Sequence, residues 1–393
     1  MKLRIGVVSS HPIQYQAPLF RELAKDADLH VMFAHRLSAS GQGDAGFGVA
    51  FEWDTDLLGG YDNQFLSNVA RRPGVSHFFG CNTPEVAAVI AQKKFDAVIV
   101  MGWHLMTYWQ TIRACRKSKV PILVRGDSQL GTPRSRLKTL VKEWVYPRLL
   151  RQFDACLYVG QRNREYLSHY GVDAQRLFFA PHCVDNDFFR ARSEMLNRAE
   201  LRRALGIASA ELVVLFVGKL VEGKRPFDLI RAVETLRKRG LNVSCLVIGD
   251  GPLRADLVDA GRQFNVPLYF TGFRNQTQLP STYPCGDLLV LPSGSETWGL
   301  VVNESLASGV PVVVSDAVGC APDLALVGRT GAVFRVADIQ SLAAAIEHVL
   351  AIPPSPEAIK AVIDQYSIQS ASRGILNAVR SLQNRRDLTV VGP

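Results

Sequence analysis

The chain predicts an α/β protein made of two tandem Rossmann-like, doubly wound domains. Three observations carry this. At 393 residues it is longer than one hydrophobic core usually serves. Short apolar runs alternate with helical patterns in both halves, the signature of parallel sheets flanked by helices. A polar, charge-rich stretch, NDFFRARSEMLNRAELRRALG, interrupts that alternation after Asp185.

The first half reads as strand LRIGVVSS, helix APLFRELAK and strand LHVMFAH, then resumes as FDAVIVMG, MTYWQTIRACRKS, VPILVRGD, a basic helix, ACLYVG, RNREYLSHYG and RLFFAPHCVD. Between these, residues 36–83 form a glycine-containing insertion, irregular apart from a possible strand around VAFEWD. In the second half LVVLFVG leads to a helix with Pro226 near its start and Gly240 past its end, followed by VSCLVIGDG, a helix to Phe264 and VPLYFTGF. DLLVLPS, a helix closed by Gly309, VPVVVSD, GAVFRV and LAAAIEHVL complete it. The expected domains are residues 1–187 and 188–369, with a helix near 370–393 packing back on the first. Such domains bind ligands beyond the carboxyl ends of their strands, so a cleft between them is the expected active site.

Composition narrows the classes. Hydrophobic residues at 47% and charged residues at 21% describe a folded globular chain. Seven scattered cysteines without a Cys-x-x-Cys pair argue against a disulfide framework or zinc site and for a reducing compartment. The apolar run at the N-terminus is too short for a signal peptide, and no stretch approaches the ~20 apolar residues of a membrane span. The expectation is a cytoplasmic protein, peripheral at the inner face of the cell membrane if its basic segment binds lipid. That segment, residues 113–151, holds eleven basic residues against Asp127 and Glu143, a net +9 that equals the whole chain's excess. Within it Leu137, Leu140, Val141, Trp144 and Val145 fall at helical spacing while Arg134, Lys138 and Lys142 line another face. Two readings stand level: a surface helix with its apolar stripe on its own core, or attraction to anionic lipid or a phosphate-bearing acceptor. Nucleic acid is not expected, because aromatic residues are not interleaved with the charges as a stacking platform requires.

The strongest chemical signal is SGSETWGLVVNESLASGVPVVVSD, laid out as strand, loop, helix, strand. Glu296 falls on the loop and Glu304 about a turn inside the helix. Between them the helix N-terminus at Gly299 and Leu300 offers unpaired amides suited to phosphate oxygens. Carboxylates beside a phosphate site suit sugar hydroxyls, since an ionised carboxylate accepts two hydrogen bonds from a diol. In VGKLVEGKRP, Lys219 and Lys224 bracket the turn leaving a strand and make a natural diphosphate clamp, whose charge a leaving diphosphate needs. The segment lacks the G-x-x-x-x-G-K-[ST] pattern of a P-loop.

VGKLVEGKRP, VIGDGPLR, YFTGF, DLLVLPSGSETWGLVVNESLASGVPVVVSD and GAVF, in that order, resemble the retaining family-4 glycosyltransferases of the two-Rossmann-domain (GT-B) fold. The likeness covers the second half and extends less tightly through VGQRNREYLSHYGVDAQRLFFAPHCVD. It implies a transferase moving a hexose-type sugar from a UDP- or GDP-sugar to an acceptor hydroxyl with retention, using no metal or other cofactor. The acceptor would be a glycan, a lipid-linked envelope or exopolysaccharide precursor, or a small molecule. By the resemblance, Glu296 meets the donor sugar beside the loop residues Thr297 and Trp298, Glu304 holds the ribose, Lys219 and Lys224 grip the diphosphate with help from the amides of residues 297–300, Gly299 and Leu300 above all, and Gly272 and Phe273 border the base. Two departures concern Lys219, where many relatives have arginine, and SSHPIQYQAP, where many have a glycine pair. Other readings are a sugar-nucleotide epimerase or hydrolase of the same fold, or a non-catalytic sugar-nucleotide binder.

In the first half, His11 and His104 each follow a strand-like run. The resemblance favours His104 as a catalytic group near the donor sugar or acceptor hydroxyl, where an imidazole shuttles a proton or orients a hydroxyl. Arg125 and Asp127, in LVRGDS, are further acceptor-side candidates. His182 is expected to be structural.

Overall fold

The structure, a computed structural model, describes residues 2–37, 52–132 and 135–390. Arg134, four insertion glycines (Gly41, Gly43, Gly46, Gly48) and the first half of the possible strand around VAFEWD lie outside the described residues. The described residues form two compact units, one of residues 2–37, 56–132, 135–182 and 368–390, the other of residues 52–55 and 183–367.

The first unit holds β1 (Leu3–Ser9), β2 (Ala27–Phe33), β3 (Asp62–Phe65), β4 (Ala97–Val100), β5 (Ile122–Gly126), β6 (Ala155–Tyr158) and β7 (Leu177–Phe179). With them run α1 (Ala17–Asp26), α2 (Val86–Lys93), α3 (Met106–Ser118), α4 (Arg136–Leu150) and α5 (Gln161–His169). The strands pair in parallel in the order β3-β2-β1-β4-β5-β6-β7. Parallel strands covered on both faces read as continuous apolar runs, and the fully buried AVIV of β4 is such a run. The described part of the 36–83 insertion contains a strand that was not expected: its DNQF segment adds an edge strand to β2, with His30 paired to Asp62 and Phe33 to Phe65.

The second unit holds β8 (Leu212–Val217), β9 (Val243–Ile248), β10 (Leu268–Gly272), β11 (Leu288–Leu291), β12 (Val312–Ser315) and β13 (Gly331–Phe334). Its helices are α6 (Asn186–Glu194), α7 (Arg198–Ala204), α8 (Pro226–Lys238), α9 (Arg254–Gln263), α10 (Leu300–Ala307), α11 (Ala321–Leu324), α12 (Ile339–Ala351) and α13 (Pro356–Ile363). All strands are parallel, in the order β10-β9-β8-β11-β12-β13. Val214, Phe216, Val247, Val290 and Val313 meet Leu229, Val233 and Leu342 in its core. The last helix, α14 (Ile368–Val390), returns to the first unit, where it packs on α1, β6 and β7. Fold and sheet order are those of two Rossmann-like domains. In each sheet the chain order reverses between neighbours, at β1/β4 and at β8/β11, and at such switch points loops part to leave a ligand crevice.

The seven cysteines are buried free thiols. Among the described residues no helix is long and apolar enough to cross a membrane.

Candidate functional site

The second unit's switch point lies between the loops that leave β8 and β11. The β8 loop carries Lys219 and, in a 3-10 turn at Glu222–Lys224, Lys224. Arg225 then caps α8, bonding Asp228 Oδ2 through Nε at 2.6 Å, so Lys224 is fixed immediately before the helix starts. The β11 loop is tied to it by Gly294 N donating to Gly223 O at 2.9 Å. Across this junction the ammonium of Lys224 contacts the carboxylate of Glu296, and Ser293 Oγ lies 3.5 Å from the same carboxylate oxygen. Both partners are partly solvent-accessible. Burial and the charge of Lys224 hold the Lys219 ammonium below its ordinary value.

The backbone around Glu296 is pinned from β12's exit. Gly319 N donates to Glu296 O at 2.9 Å and Cys320 N to Trp298 O at 3.0 Å. The approach demands glycine, since a Cβ on Gly319 would stand 1.8 Å from Thr297 O. Gly299, with φ +101, turns the chain into α10, whose first N–H groups at Leu300 have no intrahelical acceptor. No acidic residue occupies that first turn. Thr297 is exposed. Trp298, expected at the sugar, is buried, its Nε1 donating to Asn303 Oδ1 at 2.8 Å and its ring 5.9 Å from that of Tyr366. Its side chain anchors the loop.

Glu304 lies on α10 with only 7% of its surface exposed. Tyr283 Oη donates to its Oε2 at 2.6 Å. Burial pushes the carboxyl up to about 7, against the smaller opposing effect of that hydrogen bond. Burial and the neighbouring carboxyl push the Tyr283 phenol well above its ordinary range. Gly272 and Phe273 stand at the end of β10, beside the end of β9, where Gly249 N donates to Gly272 O at 2.9 Å. The phosphate, sugar, ribose and base candidates thus occupy one edge of one sheet.

In the first unit the candidates also gather at the carboxyl edge. His11 follows β1, half-buried, its Nδ1 2.9 Å from Ser10 Oγ; burial, then the nearby His35, pushes it down to about 4. His104 follows β4 and stands edge-on to Tyr108 at 5.6 Å. It is exposed, yet flanking protein still pushes its imidazole down, with Asp127 opposing. Asp127 follows β5 and lies 3.8 Å from His182 Nε2. His182 is buried, which also lowers its pKa. Arg125 departs from the expected ligand-facing role: it is buried, and its Nη2 donates to Pro181 O at 2.7 Å, tying β5 to the segment after β7. Imidazoles held neutral, each able to donate one hydrogen bond and accept another, are the chemistry this edge offers. Among the described residues no group of three or more His, Cys, Asp or Glu is arranged to hold a metal ion.

Sequence reasoning missed Tyr283, Ser293, Gly319 and His35. Tyr283 carries no local signal, since it comes from a 3-10 turn 21 residues from its partner. Gly319 had one, a glycine just beyond a predicted strand end.

Two doubly wound parallel sheets, the second with a cationic loop facing a carboxylate at its switch point, define a protein of two Rossmann-like domains. Residues 197–385 match the family described as Glycosyl transferases group 1. It is similar to alpha-D-kanosaminyltransferase of Streptomyces kanamyceticus, 29% identical over 56% of this chain and 56% of that protein. It is also similar to D-inositol 3-phosphate glycosyltransferase of Mycobacterium tuberculosis, 32% identical over 65% of this chain and 52% of that protein. The chain therefore spans about half the length of these curated relatives. In three dimensions it resembles Anabaena HepE in complex with UDP, with a TM-score of 0.72 at 17% identity over 97% of this chain and 100% of that one. Trehalose 6-phosphate synthase from Burkholderia multivorans gives 0.70 at 15% identity over 100% and 99%. These likenesses are to GT-B glycosyltransferase structures, and at such identities they concern the fold.

Proposed function

We propose that the protein is a retaining, metal-independent glycosyltransferase that moves a hexose-type sugar from a UDP- or GDP-sugar to an acceptor hydroxyl on a glycan, a lipid-linked precursor or a small molecule. The observation that carries the proposal is the contact of Lys224 with Glu296 at the β8/β11 switch point. A cation that grips a diphosphate and a carboxylate that meets a sugar are there side by side.

In this reading Lys219, Lys224 and the amides of Gly299 and Leu300 neutralise the diphosphate as it leaves, a role a fixed cation fills without solvent reorganisation. Glu296 holds the donor sugar, Glu304 accepts the ribose hydroxyls, and Gly272 and Phe273 border the base. The leaving phosphate assists deprotonation of the acceptor on the same face of the sugar. His104, neutral at physiological pH by the direction of its shift, orients the acceptor hydroxyl. His11 and Asp127 shape the acceptor side. The seven buried thiols favour a reducing compartment such as the cytoplasm. The solved relative that carries UDP, and the two sugar-transferring relatives, support the substrate class.

The test begins with a thermal-shift screen of nucleoside diphosphates and their sugars, since a ligand that binds the folded state raises its apparent stability. The winning donor is then incubated with an acceptor panel and the product anomer read by NMR. Retained configuration, lost on Glu296→Ala while nucleotide binding persists, is the expected result. Full transfer by Glu296→Ala, or sugar epimerised without acceptor, contradicts the proposal.

A further inference from the structure

A helix that packs on its own domain turns its apolar stripe inward. In α4 the stripe faces out. Leu137, Leu140, Val141 and Trp144, at positions i, i+3, i+4 and i+7, are 72%, 67%, 54% and 65% exposed. The polar position Lys142 turns inward instead, its ammonium 4.4 Å from the Tyr146 ring centroid and 5.5 Å from that of Tyr166. The reading of this stripe as core-facing is therefore wrong for this helix.

Cations border this surface. Arg148 lies over the Trp144 ring at 4.1 Å, and Lys138 is exposed on the neighbouring face of the same helix. The segment 113–151 carries the chain's whole net excess of +9. An apolar strip rimmed by lysine and arginine matches a bilayer interface, where acyl chains receive the apolar side chains and anionic head groups the cations. A second copy of the chain fits poorly, because a two-fold contact would set the cations of one copy's helix against those of the other.

We infer that α4 is an interfacial helix that docks the protein on an anionic membrane surface. The inference stands apart from the donor chemistry. Full-length protein is mixed with phosphatidylcholine vesicles with and without phosphatidylglycerol and sedimented. Binding to the anionic vesicles roughly tenfold above the neutral ones, falling with salt, is expected, with a blue shift of tryptophan emission that Trp144→Phe removes. Leu140→Glu should cut that binding roughly tenfold, and Lys138→Glu should flatten its salt dependence. Both positions are solvent-exposed, so unchanged thermal unfolding shows that the fold is intact. Equal or absent binding on the two vesicle types, or binding indifferent to Leu140→Glu, overturns the inference. So does a dimer in solution that Leu140→Glu converts to monomer, since a second copy would then cover the face.

Discussion

The ammonium of Lys224 meets the carboxylate of Glu296 across two loops that leave the adjacent parallel strands β8 and β11. The pair arises because Pro226 and the Arg225–Asp228 bridge fix one loop while Gly319 pins the other. A diphosphate would compete with Glu296 for Lys224. Glu296→Gln should then bind nucleoside diphosphate at least as tightly as the parent while its turnover falls by about 10²–10³. Calorimetry and initial rates on the same preparation check both halves, and a tenfold loss of nucleotide affinity would refute the competition.

Glu304 supplies a pH signature. Its folded pKa, about 7, lies above the ordinary carboxyl value, so the folded state holds the proton more firmly. Stability therefore declines as pH rises from the ordinary value toward 7 and stays reduced above it. Glu304→Gln should be the more stable protein at pH 8 by up to about 3 kcal/mol and gain nothing at pH 4.5. Thermal unfolding at the two pH values reads this directly. Ribose hydroxyls would favour the ionised form, so nucleotide binding to the parent should release more protons near pH 7 than binding to Glu304→Gln.

His11 has the opposite sign. Its pKa sits near 4, below the ordinary 6.5, so the unfolded chain takes up the proton first. Stability contributed by the neutral ring is present above the ordinary value and lost as pH falls toward 4. His11→Gln should weaken the pH dependence of unfolding between pH 6.5 and 4, which acid titration of the parent and variant will show.

Gly319 is a steric test of the loop. With Thr297 O 1.8 Å from an added Cβ, Gly319→Ala must displace the 296–298 backbone. A loss of about 1–3 kcal/mol in stability is expected, with weakened nucleotide binding. Denaturant unfolding and nucleotide titration measure the two effects, and an alanine variant equal to the parent in both would show that the loop yields.

Much of this was legible in the chain because it is written locally. Strand exits, Pro226 at a helix start and Gly309 past a helix end placed Lys224, Glu296 and Glu304 on one sheet edge from sequence alone. The rest was set by partners distant in sequence. Nothing near Glu304 announces Tyr283, and nothing near Trp298 announces that Asn303 and Tyr366 bury its ring. DNQF lacks an apolar run, so β3 is recognisable only once β2 offers it an edge. Helical spacing told which residues of α4 share a face but not which way that face turns. Arg125 stood at a strand end like a ligand residue, and only the fold shows it holding Pro181 O.

The central claim is that Lys219 and Lys224 hold the diphosphate of a nucleotide sugar at the β8/β11 switch point. Calorimetric titration of UDP and GDP into the parent and into a Lys219→Ala, Lys224→Ala double variant tests it most directly. The account predicts that the parent binds at least one of them and that the variant, still folded, loses at least about a hundredfold in affinity, since each charge-assisted contact is worth about 1.5–3 kcal/mol. An unchanged affinity in the double variant would contradict it.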